Sequence, residues 1–168
     1  MERVNRRKIE LSEYDIVQNY IIGSHILREF VKFYQRYSQE NIGPELILTM
    51  PILPLVLNKS SSFEISKRHY IEGGLMKTIY DDKTLYVGLQ NRMEKMYDLS
   101  LKSLSMCFSS GLLNYDKNTS RLTIIDEANP NLQYAENYKQ ILRASRRLGA
   151  WFAKLSIEEL TTIFKIKF

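Results

Sequence analysis

The sequence predicts a mainly α-helical fold with one β-hairpin, resembling a winged helix. Apolar side chains recur at helical spacing along most of the 168 residues. Residues 121–125 are rich in β-branched side chains and follow a polar turn at 116–120, so they pair as a hairpin with residues 111–115. Two helical segments precede this hairpin, and helix, helix, hairpin is the order of elements in a winged helix.

The first predicted helix covers residues 13–37, where apolar and aromatic side chains return every three, four or seven positions. Ser12 precedes this segment at a position suited to an N-cap. The apolar stripe passes over Gly23 and Ser24, whose small side chains would let another helix approach closely. We therefore expect a long amphipathic helix with a tight contact near its start.

Residues 46–57 are apolar on every face. Pro51 and Pro54 cannot donate to a β-ladder, so a kinked and buried helix is expected here rather than a central strand. Ser61 and Glu64 have the spacing of a capping box, which predicts that another helix starts at Ser61.

Two further helices are expected between this region and the hairpin. Residues 83–96 form the first, with Asp81 or Asp82 as its cap, and residues 99–109 form the second.

The C-terminal part is predicted to be helical. A turn at residues 129–131 precedes a long helix over 132–154. Ser156 and Glu159 again have capping-box spacing and open a short terminal helix.

The predicted domain organisation is one helical domain preceded by a basic arm. The arm covers residues 1–12 and the domain residues 13–168, with a winged-helix-like part at about 61–127 and the C-terminal helices at 130–168.

Composition indicates a soluble, cytoplasmic protein. The single cysteine cannot form an internal disulfide, which fits a reducing compartment. The longest apolar segment is far shorter than the roughly 20 residues that span a bilayer, so no membrane contact is expected. The net charge of +5 permits binding to nucleic acid or to an acidic protein face without selecting either.

The sequence offers no constellation for catalysis. His25 lies inside the first predicted helix and His69 in a charged stretch, and neither has a second ligand at metal-binding spacing. Cys107 is flanked by apolar residues and is expected to be a buried structural thiol. The acid pairs at 81–82 and 158–159 are explained by helix capping. We therefore expect no enzymatic activity, no metal and no cofactor.

Basic residues leave two interpretations open. Lys117 and Arg121 flank the hairpin turn, as phosphate-contacting residues of a wing do, and Arg143 shares a helix face with Arg146 and Arg147. These positions could make a weak or indirect contact with duplex DNA, or they could form a solvated face opposite an apolar one.

Three segments stand out along the chain: ILPLVLNK at 52–59, SLSMCFSSGLL at 103–113, and RRLGAWFAK at 146–154 followed by TIF at 162–164. Together they resemble the middle component of three-component ABC systems, which include the small accessory subunit of Lamassu-type antiphage defence. The family shows LPLVLHK-like, GLL-type, LGRWFAK-like and TIF-containing segments in this order. The chain departs from that pattern where Asn58 replaces a histidine, where two serines follow Lys59, and where a final Arg-Pro is absent.

The resemblance implies a non-catalytic adaptor that bridges an SMC/Rad50-like ABC ATPase and a nuclease-like effector in prokaryotic antiphage or anti-plasmid defence. Large aromatic and arginine side chains dominate protein interfaces, which singles out the last of the matching segments. The candidate partner-binding residues are Pro54, Lys59, Arg146, Arg147, Trp151 and Phe152. The alternative is a stand-alone winged-helix DNA-binding regulator that uses Lys117 and Arg121.

Overall fold

A computed structural model describes residues 19–70, 73–125 and 135–168. Over these ranges the chain forms seven α-helices and one antiparallel β-hairpin, which confirms the predicted mainly α fold. The helices are α1 (Tyr20–Tyr37), α2 (Ile52–Val56), α3 (Lys59–Ser66), α4 (Gly74–Asp81), α5 (Leu89–Ser109), α6 (Glu136–Phe152) and α7 (Ile157–Phe164). The strands are β1 (Leu113–Asp116) and β2 (Arg121–Ile124).

Helix α1 packs across both of the other long helices. The Asn19 side chain caps it by accepting hydrogen bonds from the first turn, whereas the predicted start at residue 13, with its cap at Ser12, lies outside the described residues. A Cβ on Gly23 would lie 2.1 Å from the Ser103 Oγ of α5, so the predicted close approach is confirmed. On the other side, a Cβ on Gly149 of α6 would lie 2.4 Å from the Phe30 carbonyl oxygen.

The apolar segment 46–57 is kinked, as predicted, and it is buried over residues 51–56, whereas Ile47 is exposed. A 3-10 turn at Leu46–Thr49 gives way to α2, and Pro51 stands at the break. Pro54 lies in the first turn of α2, where a backbone N–H would have no intrahelical acceptor in any case. This position explains why the helix tolerates it.

Before the hairpin, the predicted helix boundaries are wrong in two places. Helix α3 begins at Lys59 rather than Ser61, because the Asn58 side chain accepts a hydrogen bond from the Ser61 N–H at 3.0 Å. The segments 83–96 and 99–109 do not form separate helices. Residues 89–109 form the single helix α5, since neither proline nor glycine interrupts them. Asp82 caps only a 3-10 turn at Lys83–Leu85.

The hairpin lies where it was predicted, with Leu113 opposite Ile124, but Asp116, which was predicted to be in the turn, is the last residue of β1 and pairs with Arg121. It docks on the N-terminal half of the chain: the Leu122 N–H donates to the Pro44 carbonyl at 2.8 Å, and the Ile124 N–H donates to Gln35 Oε1 of α1 at 3.3 Å. The hairpin thus packs against residues outside 61–127. Its likeness to a winged helix, and the division of the chain at residue 61, stay predictions.

The C-terminal helices enclose the core. The turn at 129–131 lies outside the described residues. Helix α6 begins at Glu136, after Ala135 in an extended conformation, rather than at 132, and it ends at Phe152 rather than at 154. The capping box of Ser156 and Glu159 is confirmed by both of its hydrogen bonds. Phe152 packs edge-on against Phe30 at 5.7 Å between ring centres, and Phe164 of α7 packs on Phe152 at 5.6 Å.

Among the described residues, no single helix has the length and apolar character needed to cross a bilayer. Residues 46–56 and 59–66 pass such a test only as a pair bent by 104°.

Candidate partner-binding surface

The tight crossing of α1 and α6 brings aromatic and arginine side chains together on one surface. Ser145 of α6 reinforces the crossing, since its hydroxyl donates to the Ile26 carbonyl at 2.7 Å. We call this surface the arginine–aromatic patch. It consists of Phe33, Arg36, Tyr37, Tyr70, Arg146 and Arg147.

Three rings of the patch are stacked. Phe33 and Tyr37 lie one turn apart on α1, which places them side by side. Their ring centres are 6.4 Å apart, and Tyr70, which follows α3, lies 5.8 Å from Phe33 and 5.6 Å from Tyr37. All three pairs are within 17° of parallel. The stack therefore fixes three large side chains at a half-buried surface.

Three guanidinium groups lie over these rings. Arg36 is 4.8 Å and Arg146 is 5.6 Å from the centre of Phe33, while Arg147 is 5.1 Å from the centre of Tyr70. Each distance is within the range of a cation–π interaction. The rings therefore orient the positive charges.

A buried carboxylate anchors one of the arginines. Arg146 Nε donates to Glu29 Oε2 at 2.5 Å, and Glu29 also accepts from Arg28 at 3.0 Å. Glu29 is 6% exposed, whereas the Arg146 side chain is 33% exposed. One carboxylate thus meets two guanidinium groups.

Arg147 is held by backbone carbonyls instead of a carboxylate. Its Nε donates to the Arg68 carbonyl, and its Nη1 donates to the Arg143 carbonyl at 3.2 Å. Burial raises the pKa of the neighbouring Tyr70 phenol, although the Arg147 charge opposes this shift. Tyr70 therefore stays protonated at neutral pH and can both donate and accept a hydrogen bond.

The structure divides the predicted partner-binding residues into surface and core. Arg146 and Arg147 belong to the patch, and Lys59 is exposed at the first residue of α3. Phe152 is fully buried against Phe30 and Phe164, and Pro54 is buried in α2. In this conformation neither can touch a partner directly. Trp151 is 5% exposed and lies at the inner edge of the patch.

The predicted DNA-contacting residues do not form one basic surface with free guanidinium groups. Arg121 donates to the Gly43 carbonyl at 2.8 Å and pairs with Glu45 at 3.5 Å, so it ties the hairpin to the chain. Arg143 is exposed but pairs with Glu136 at 3.1 Å. Lys117 is exposed in the hairpin turn.

Sequence reasoning missed the aromatic half of the patch. Phe33 and Tyr37 are spaced for contact on a helix, which is a detectable signal, but their period also fits an ordinary buried stripe. Tyr70 carries no local signal, since only the tertiary fold brings it to α1.

Burial shifts the pKa values of two other reactive side chains, Cys107 and His25. Cys107 is buried beside the Ser24 carbonyl, and burial raises the pKa of its thiol to about 12. Burial lowers the pKa of His25, and the nearby Arg28 charge lowers it further. Within the three described ranges, no group of three His, Cys, Asp or Glu side chains is arranged to hold a metal ion.

Residues 8–168 match a family model described as the ABC-three component (ABC-3C) system Middle Component 3. No curated protein and no solved structure matches the chain.

Proposed function

Since the chain belongs to the ABC-three component system Middle Component 3 family, we propose that it is a non-catalytic adaptor between the other two components. In this proposal one partner is an SMC/Rad50-like ABC ATPase and the other is a nuclease-like effector. The system acts in antiphage or anti-plasmid defence of the Lamassu type, and the effector stays inactive until the ATPase engages foreign DNA.

The arginine–aromatic patch is the observation that supports this proposal best. Arginine and tyrosine are enriched among the residues that dominate binding energy at protein interfaces. Here the Phe33, Tyr37 and Tyr70 rings hold one another, and Arg146 is fixed by Glu29. Because these side chains are already ordered, a partner would lose little conformational entropy on binding them.

Direct regulation of a promoter receives less support from the geometry. Arg121 is engaged within the fold, and the exposed face of α5, just before the hairpin, mixes Lys95 and Lys102 with Glu94 and Asp98. Such a mixed face does not attract phosphate as a basic stripe does.

Co-expression with the products of the neighbouring genes tests the adaptor role. We expect a tagged chain to co-purify with a large coiled-coil ATPase and to elute with it on gel filtration. A double substitution in the patch, Tyr37→Ala with Arg147→Ala, should lower the yield of complex strongly. Lys139→Ala changes an exposed cation elsewhere on α6 and is the matched control. A wild-type chain that stays monomeric in the presence of both products would contradict the proposal.

A further inference from the structure

A cavity of about 360 Å³ opens beside the arginine–aromatic patch, between the start of α4 and the end of α6. Tyr37 and Tyr70 form its side nearest the patch, and Gly73, Trp151 and Lys154 line other parts of it. We call this cavity the Trp151 pocket. It extends the patch from a flat surface into a concave one.

Among the described residues, the indole N–H of Trp151 has no acceptor. Trp151 is 5% exposed, and its Nε1 is buried without a hydrogen-bond partner. Buried indole N–H groups usually find an acceptor, because an unpaired donor loses its hydration without compensation. The nitrogen faces the first residue of α4, since a Cβ on Gly74 would lie 3.1 Å from it.

Helix α4 begins beside the same nitrogen without a capping side chain. Gly73 occupies the N-cap position with φ of 83°, and no side-chain oxygen accepts from the first turn. The first N–H groups of a helix lack intrahelical acceptors and carry partial positive charge. The uncapped helix terminus and the unpaired indole N–H are therefore neighbouring hydrogen-bond donors.

The described lining of the pocket carries one positive charge, that of Lys154. Lys154 is exposed at its rim and forms no ion pair with any described residue, and no described aspartate or glutamate lines the cavity. Leu75, Met76 and Leu155 make much of the remaining wall apolar. A pocket with one cation and an otherwise apolar wall is suited to a ligand that carries one negative charge next to an apolar group. A doubly charged phosphate would leave its second charge poorly compensated.

We propose that the Trp151 pocket binds a carboxylate presented by an acidic peptide segment of a partner protein. This inference rests on the adaptor role, since the segment would belong to another component of the system. The carboxylate accepts hydrogen bonds from Trp151 Nε1 and from the first amides of α4, and Lys154 neutralises its charge. The apolar wall receives an aliphatic or aromatic neighbour of the acidic residue.

The only tryptophan of the chain reports directly on its own pocket. The fluorescence of the full chain is titrated with 3-phenylpropionate, with the neutral 3-phenylpropanamide, and with inorganic phosphate. We expect a saturable emission shift with 3-phenylpropionate and no binding of phosphate. The amide should bind at least about tenfold more weakly than the carboxylate, because hydrogen bonds to a charged group are stronger than those to a neutral one. Equal binding of the amide, or tighter binding of phosphate, would overturn the inference.

Substitutions sharpen this titration. Lys154→Gln should weaken 3-phenylpropionate binding about tenfold, because it removes the charge at the rim. Lys139→Gln on the same helix should leave it unchanged. Glu72, next to Gly73 in the sequence, provides a control for an internal occupant. If 3-phenylpropionate binds only to the Glu72→Gln variant, the Glu72 carboxylate of the chain itself occupies the pocket. That result would overturn the assignment of the pocket to a partner.

The co-expressed complex then separates this inference from the adaptor role. Lys154→Gln and Trp151→Phe, which keeps an aromatic ring but loses the N–H, should each weaken assembly about tenfold, provided that thermal denaturation shows them folded. If the wild-type complex forms and both variants assemble equally well, the pocket inference fails while the adaptor role stands. If the wild-type chain assembles with neither neighbour, the adaptor role and the partner assignment fail, whereas carboxylate-selective fluorescence would still establish the pocket.

Discussion

The Arg147 guanidinium lies 5.1 Å from the centre of the Tyr70 ring, and its Nε donates to the carbonyl of Arg68. A single side chain of α6 thereby holds the segment that follows α3. The stacking of Tyr70 on Phe33 and Tyr37 depends on the position of this segment, so the order of the whole patch is linked to Arg147.

Replacement of Arg147 by alanine should therefore lower stability and weaken partner assembly together. Loss of the cation–π contact and of the hydrogen bond should lower the free energy of unfolding by about 1–2 kcal/mol. Denaturant titration measures this loss, and co-purification measures assembly. Arg147→Lys keeps the charge but not the Nε donor. It should therefore retain only part of the stability and only part of the partner assembly. Arg143→Ala, an exposed neighbour paired with Glu136, should change stability little.

Gly149, at the crossing of α1 and α6, should not tolerate a larger side chain. A Cβ there would lie 2.4 Å from the Phe30 carbonyl oxygen and 2.9 Å from the Tyr34 nitrogen, and neither backbone atom can yield without moving α1. We expect Gly149→Ala to cost about 3 kcal/mol or more, near the upper end of overpacking substitutions. Gly73→Ala meets no neighbouring atom and should cost only about 1–2 kcal/mol, from its left-handed conformation. Equal losses in denaturant titration would show that α1 and α6 do not pack as described.

His25 should make the fold less stable in mild acid. Because its pKa is lower in the folded chain than the ordinary 6.5, the unfolded chain binds the proton more readily. Its contribution to stability is full above pH 6.5 and is lost as the pH falls through 6.5 toward the folded pKa. The loss of stability between pH 7.5 and pH 5.5 should be smaller in His25→Gln than in the wild type. An identical pH dependence in the two proteins would contradict the lowered pKa of this imidazole.

Cys107 should react with thiol reagents only when the chain unfolds. The thiol is fully buried and its pKa is raised to about 12, so both access and thiolate content are low in the folded state. At pH 8 we expect slow labelling by iodoacetamide without denaturant and rapid labelling in guanidinium chloride. Fast labelling of the folded chain would contradict the packing of α5 against Ser24.

The elements of this fold were predictable where a local signal decides them. The Ser156 and Glu159 capping box and the β-branched strand at 121–124 are such cases, because the deciding residues are close together in sequence. The patch was predicted only in part, since Arg146 and Arg147 form a visible pair whereas Tyr70 reaches them through the tertiary fold. The burial of Phe152 was not decided by sequence either, because an aromatic beside arginines suits a core and an interface equally.

The start of α3 shows how two local signals compete, and it can be tested directly. Ser61 and Glu64 have capping-box spacing, yet Asn58 is the residue that accepts from the Ser61 N–H, at 3.0 Å. Ser61 lies inside the helix and is buried, with its hydroxyl 3.3 Å from that of Thr84. Asn58→Ala should therefore cost about 1 kcal/mol, the usual loss for an N-cap, and Asn58→Asp should retain most of the stability. Ser61→Ala should cost less than Asn58→Ala, because it removes one long hydrogen bond and no cap. The opposite order in denaturant titration would move the helix start back to Ser61 and detach Lys59 from the first turn of α3.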